Sequence, residues 1–252
     1  MIRIQYASDL HLEFVENEQY LSQNFFEKSG DILLLAGDVV LLKYEDRFRD
    51  FFKKLSNQYD QVLWIPGNHE YYRGNILSRE SPFNEEVVPN VHLLNNNTFT
   101  FNNVHFICST LWANVPDDFI RPVSYGMNDF RVIQRGNQLF TVEDFNRLHD
   151  DSIKFIVTEL EHFQGEKCVV MTHHVPTFLN YPPKYLGSAL NFAFAVEHKE
   201  IIERYQPEAW IFGHVHCPAD FTIGQCKMLA NPLGYVKSGE NNLFRKDAAI
   251  EL

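Results

Sequence analysis

Apolar and polar positions along this 252-residue chain fall into two rhythms. Short apolar, β-rich runs at 2–6, 32–36 and 61–65 are separated by mixed stretches at 18–28 and 47–56, which predicts strand, helix, strand, helix, strand. Shorter strand-like runs follow at 91–94, 99–101 and 104–109, parted by asparagines at 95–97 and 102–103 that supply turn chemistry. The clearest helix spans 142–163. Thr141, with Asp144 three residues on, opens it, and Gly165 closes it. Within it Phe145, Leu148, Ser152, Ile156, Leu160 and Phe163 recur at helical spacing, with Ile153 and Val157 widening the stripe. That stripe is read as core, not as a cofactor face. The chain then reads as loop from 174 to 191, helix at 196–205, and strands at 210–212, 221–223, 228–230 and 248–251. Strands alternating with helices first and a strand-rich tail later suggest two sheets with helices outside. No Gly/Ser-rich or Pro-rich linker divides the chain, so residues 1–252 are expected to form a single domain.

Charge and composition remove several function classes. A formal net charge of −11, with no cluster of Lys and Arg, argues against general affinity for nucleic acid, which needs basic surface. No apolar run approaches the roughly 20 residues that span a bilayer. The first nine residues enter a strand at once, without the pattern of a leader. A cytoplasmic protein with no membrane partner is therefore expected. Cys108, Cys168, Cys217 and Cys226 form no C-x-x-C pair and are expected to be reduced structural thiols, with Cys217 beside His216 at the rim of the site.

The chemistry lies in five hydrophilic segments, each following an apolar run: Asp9, Leu10 and His11; Gly37 and Asp38; Gly67, Asn68, His69 and Glu70; Thr172, His173 and His174; and Gly213, His214, Val215 and His216. One edge of a sheet collects such segments, as open α/β sheets do at the carboxyl ends of their strands. Taken singly, Asp9 or Asp38 is an ordinary turn carboxylate, and Asn68 after Pro66 and Gly67 an ordinary turn residue. His214 and His216 are harder to read so, since residues two apart at a strand end point to the same side. Together, oxygens and imidazoles make a donor set suited to first-row divalent metals rather than to calcium.

These five blocks, in this order, resemble the calcineurin-like metallophosphoesterase superfamily, whose pattern is D-x-H, G-D, G-N-H-[DE], a His after a strand, and G-H-x-H. The resemblance covers most of the chain. It implies an α/β fold, a four-layer α/β/β/α sandwich with a dinuclear metal site at the strand carboxyl ends. By the same resemblance Asp9, His11 and His216 hold one divalent ion, Asn68, His173 and His214 hold the other, and Asp38 bridges them; the ions are Mn, Fe or Zn. Of the adjacent pair, His173 is taken as ligand because it comes first after the strand, and His174, on the opposite side, faces away or toward substrate. His69 matches the family histidine that protonates the leaving oxygen, with Glu70 and Asp9 as partners that orient it or a ligand imidazole. The implied reaction is attack of a metal-bridging hydroxide on phosphorus, with no covalent phosphoenzyme.

Two departures narrow this implication. The segment after Asp38 lacks the G-D-x-V-D-R-G block of the protein serine/threonine phosphatases, and the chain lacks the extra domains and basic surface of the repair nucleases. The remaining resemblance is to compact bacterial phosphoesterases of the cyclic nucleotide phosphodiesterase type. The expected function is hydrolysis of a small phosphomonoester, phosphodiester or nucleotide. The alternatives are a catalytically inactive metal-binding scaffold of the same fold, or a nuclease. Substrate choice is assigned to segments 112–140 and 178–194, which carry aromatic and polar residues between the motifs. Asn128, Arg131 and His174 are the expected substrate contacts, a guanidinium matching phosphate oxygens.

Overall fold

The run Ile-Leu-Leu-Leu-Ala at Ile32–Ala36 is buried along its whole length, as a central parallel strand covered on both faces must be. The computed structural model describes residues 1–252 and builds outward from that strand. The first half contains β1 (Arg3–Ala7), α1 (Val15–Gln23), β2 (Ile32–Ala36), α2 (Arg49–Gln58), β3 (Gln61–Ile65), β4 (Phe83–Val88), β5 (Val91–Asn95), β6 (Asn97–Phe101) and β7 (Val104–Ser109). Then come α3 (Ile120–Gly126), α4 (Asp129–Val132), β8 (Gln134–Arg135), β9 (Gln138–Leu139), α5 (Val142–His162) and β10 (Lys167–Thr172). The last elements are α6 (Lys199–Tyr205), β11 (Ala209–Ile211), β12 (Ala219–Ile223), β13 (Cys226–Ala230) and β14 (Ala249–Glu251).

The first sheet has the order β14-β1-β2-β3-β5-β4 and the second β12-β13-β11-β10-β7-β6. In each the four central strands are parallel and the two edge strands antiparallel. Period-two alternation decides which sheet face a side chain serves. Ile32, Leu34 and Ala36 join Ile4, Phe106, Met171 and Ile211 in the apolar layer between the sheets. Leu33 and Leu35 point the other way, onto Phe52 and Leu55 of α2. On the far side Val170, Trp210 and Met228 pack against Ile156 and Leu160 of α5 and Ile202 of α6. Helices, sheet, sheet and helices make the four-layer α/β/β/α sandwich.

Several boundaries differ from the sequence reading. The first helix begins at Val15 and ends at Gln23, because Asn17 faces inward and donates to the carbonyls of Leu10 and Gly234. A turn of 3-10 helix, Leu42–Phe48, precedes α2, and α6 starts only at Lys199. Strand β4, Phe-Asn-Glu-Glu-Val-Val, escapes a hydrophobic count because it is a half-exposed edge strand. The helix at α5 carries the anticipated capping box of Thr141 and Asp144. Segment 112–140 is not loop throughout: α3, α4 and the β8–β9 hairpin surround a separate apolar cluster of Trp112, Val123, Met127, Phe130, Phe140 and Phe145. All four cysteines are free. No helix is long and apolar enough to cross a membrane.

Candidate metal centre

Strand register brings the hydrophilic segments to one edge. Ala7 pairs with Leu35 and Leu35 with Trp64, so the residues after β1, β2 and β3 leave the first sheet side by side. Met171 pairs with Ile211, and Gly213 N–H donates to the carbonyl of His173 at 3.0 Å, which aligns the two histidine segments of the second sheet. The chain turns sharply here: Asp9, His11, Asp38, His214 and His216 all have φ between 45° and 75°. Such left-handed conformations cost non-glycine residues roughly 1–3 kcal/mol each where nothing compensates. Compensation is visible, since Asp9 N–H and His11 N–H donate to the carbonyls of Gly37 and Asp38, both at 2.9 Å. Glycine is required at Gly67, where a Cβ would collide with the Asp38 carboxylate and the His173 ring.

Three groups of donor atoms result: Asp9, His11 and His216; His11, Asp38 and His69; and Asp38, His173 and His214. Asp38 stands between the outer two, with Oδ2 3.7 Å from His11 Nε2 and 3.5 Å from His173 Nε2. Asp9 Oδ1 lies 3.4 Å from His216 Nε2. Asn68 Oδ1 lies 3.2 Å from His173 Nε2. All of these side chains except those of His69 and His216 are essentially buried.

The imidazoles of the centre face one another in two pairs. His11 Nε2 faces His216 Nε2 at 3.0 Å, and His173 Nε2 faces His214 Nδ1 at 3.1 Å. In every case the outer nitrogen donates to an acceptor: His11 Nδ1 to Glu13 at 3.1 Å, His216 Nδ1 to Glu240 at 2.6 Å, His173 Nδ1 to the Ala36 carbonyl at 2.9 Å and His214 Nε2 to the Ala193 carbonyl at 3.3 Å. A neutral imidazole has one N–H, so the inner nitrogens of each pair are lone pairs pointed at each other. Only a positive species among them reconciles that arrangement. Outer-nitrogen bonds to carboxylates and carbonyls are also how metal-ligating histidines are oriented.

Burial pulls His216 and His173 down, but the Asp9 and Glu240 bonds carry His216 up to about 10 and the Asp38 carboxylate carries His173 up to about 9. Burial and the neighbouring imidazolium charge push His214 well down. Asp38 is held well below the usual carboxylate range, the surrounding imidazoles outweighing its burial. Neutral imidazoles, two carboxylates and one amide oxygen fit a divalent first-row ion at either end.

The structure gathers Asp9, His11, Asp38, Asn68, His69, His173, His214 and His216 at one place. The other expected contacts fall differently. Asn128 lies on the wall of a cleft of about 920 Å³ that opens over the centre. Arg131 is outside that cleft, exposed, its guanidinium donating to the Tyr125 carbonyl. His174 is fully buried behind the centre between Trp112 and Phe145, where Nδ1 donates to the Thr110 carbonyl, so it reaches no substrate space. Glu70 does not orient an imidazole: its carboxylate accepts from the backbone N–H groups of Asp38, Val39 and Gly67 and from Trp64 Nε1, tying the segments after β2 and β3 together. Its surroundings push it up to about 8, burial first and the Asp38 charge next. The partner of His69 is Glu13, whose Oε1 accepts from His69 Nδ1 at 2.9 Å as well as from His11. Sequence reasoning gives no partner role to Glu13, Tyr72, Asp129 or Glu240; Glu13, two residues after His11, and Tyr72, four after Asn68, are near their partners in the chain, whereas Asp129 and Glu240 are brought in only by folding.

The family model for calcineurin-like phosphoesterases matches residues 2–218. A protein of Acanthamoeba polyphaga mimivirus, named uncharacterized protein L509, is 32% identical over 275 residues, spanning 99% of this chain and 96% of that one. The solved structure of the phosphopantetheinyl hydrolase PptH from Mycobacterium tuberculosis superposes with a TM-score of 0.69 at 16% identity, covering 95% of this chain and 92% of that one. At that identity the likeness is one of fold.

Proposed function

Since the chain belongs to the calcineurin-like phosphoesterase family, we propose that it is a metal-dependent hydrolase of a small phosphomonoester, phosphodiester or nucleotide. The observation that supports this most is the two facing imidazole pairs, each with its outer nitrogens already engaged. In this reading Asp9, His11, His216 and Asp38 hold one divalent ion, and Asn68, His173, His214 and Asp38 the other. Bound there, Mn, Fe or Zn would polarise the phosphoryl oxygens and acidify water.

The remaining work belongs to side chains of the cleft. His69 lines it, with Nδ1 held by Glu13 and its ring stacked on Tyr72 at 4.1 Å, so Nε2 is the atom offered to a leaving oxygen. A group so placed donates the proton that the departing alkoxide needs. At about 920 Å³ the cleft is far larger than a phosphate, and the organic part of the ester is placed against Phe14, Tyr181, Phe194 and Tyr235. Asn128 offers an amide there. Arg47 on the same wall is paired with Glu18 at 2.6 Å, whereas Arg73 has no carboxylate partner and is the cation free to meet an anionic substrate.

Metal analysis joined to hydrolysis of 4-nitrophenyl phosphate and bis(4-nitrophenyl) phosphate tests the proposal. Activity should vanish on chelation and return with manganese. A protein that carries its ions and cleaves no phosphoester in a broad panel would be a scaffold instead.

A further inference from the structure

Asp129 takes no part in the donor set, yet it reaches the centre from the segment that caps it. It sits in α4, 1% exposed. Asn68 Nδ2 donates to its Oδ1 at 3.1 Å, and Tyr72 OH donates to its Oδ2 at 2.9 Å. The remaining amide hydrogen of Asn68 is directed at the Tyr72 hydroxyl oxygen at 3.3 Å. Tyr72 in turn stacks on His69 with ring centroids 4.1 Å apart and planes 24° from parallel.

The two ends of a carboxamide have opposite chemistry: the oxygen accepts or binds a cation, and the nitrogen only donates. A carboxylate and a phenol oxygen on one side leave Asn68 a single orientation. Its NH2 faces Asp129 and Tyr72, and its Oδ1 faces His173 Nε2 at 3.2 Å. Turned over, Oδ1 would meet the Asp129 carboxylate with no proton between them, and the NH2, which only donates, would face the space between His173 and His214 where a cation would bind. The Tyr72 hydroxyl has one proton, and Asp129 receives it, so Tyr72 offers the cleft its ring rather than a donor.

We infer that Asp129 is a positioning residue: it fixes the Asn68 amide so that the oxygen serves the ion between His173 and His214, and thereby sets the affinity of that position alone. This rests on the two-ion reading proposed above.

The test is titration of the ion-free protein with manganese(II) at about pH 8, where ligand imidazoles compete least with protons, followed by electron paramagnetic resonance and calorimetry. Wild type should show two sites. Asp129→Ala should weaken one of them about 10–100-fold, the usual cost of removing a residue that orients a ligand, and leave the other within about 3-fold. In an Asn68→Ala background the same change should add nothing, because a residue that acts through Asn68 has nothing left to orient. Asp129→Leu, close in shape, carries the same comparison if the alanine variant does not fold. Two unchanged sites, equal weakening of both, or a full additional loss in the Asn68→Ala background would each overturn the inference. A wild type that binds no ion would remove the two-ion reading itself, and this inference with it.

Discussion

His11 and His216 bring their Nε2 atoms to 3.0 Å while Glu13 and Glu240 hold their Nδ1 atoms from outside. The two carboxylates thus take the outer nitrogen of each ring and leave Nε2 as the atom turned toward the centre. Glu240 is the simpler of the two to remove, since Glu13 also holds His69. Glu240→Ala should weaken the ion beside His216 about 10–100-fold and spare the ion beside His173. Metal content after graded chelation reads this directly; equal loss of both ions would mean that Glu240 does not act through His216.

Asp38 makes the contrasting prediction, because its Oδ2 lies near both His11 and His173. Asp38→Asn removes a negative charge from both positions, so both ions should be lost together and activity with them. Mass-spectrometric metal counting would reject this role if two tightly held ions remained.

For His69 the expected pattern is the reverse. Its Nδ1 is held by Glu13 and its ring stacks on Tyr72 at the cleft, outside the two facing imidazole pairs, so His69→Ala should keep its metal even though His69 stands near His11 and Asp38. Turnover should fall about 10²–10⁴-fold for esters with poor leaving groups, and less for 4-nitrophenyl esters, whose leaving group needs no proton. A uniform fall across leaving groups would assign His69 another task.

The adjacent histidines are separated by burial and direction. His173 Nε2 points among Asp38, Asn68 and His214, whereas His174 packs on Trp112 and Phe145. His173→Ala should empty one metal position. His174→Ala should leave both occupied while lowering the melting temperature, since it leaves a cavity beside two aromatic rings and removes a bond to Thr110. Full metal loss in the His174 variant would reverse the assignment.

How much of this was legible in the sequence follows from which interactions are local. Strand β2 is visible because five consecutive apolar residues need two covered faces, and α5 because its cap and stripe are contiguous in the chain. The gathering of Asp9, Asp38, Asn68, His173, His214 and His216 follows from strands that are parallel and end in register. Asp129 and Tyr72 were not legible as partners of Asn68: Asp129 lies 61 residues away and is brought in by packing of Trp112, Phe130 and Phe140, which has no periodic signature. Arg131 is expected at the substrate because a guanidinium matches phosphate oxygens, but its side chain is exposed outside the cleft and donates to the Tyr125 carbonyl. Glu70 looked like a partner of the adjacent His69, yet buried backbone N–H groups of the next segment claim its carboxylate.

His149 and His198 stack with centroids 5.1 Å apart and planes within 2°, and His198 Nε2 is buried with no partner. Burial first, and repulsion from His149 second, push His198 down to about 4, against 6.5 for a free imidazole. Between those values the unfolded chain binds a proton that the folded chain refuses, so stability rises with pH across the window. The contribution is complete above about pH 6.5, is lost as pH falls toward 4, and amounts to at most about 1.4 kcal/mol per pH unit for one proton. Urea unfolding of the chelated protein at several pH values measures it, chelation keeping ion loss out of the comparison. His198→Phe, which keeps a ring in the stack and cannot titrate, should flatten the slope between pH 4 and 6.5 relative to wild type. Parallel curves for the two proteins would place the acid sensitivity elsewhere in the molecule.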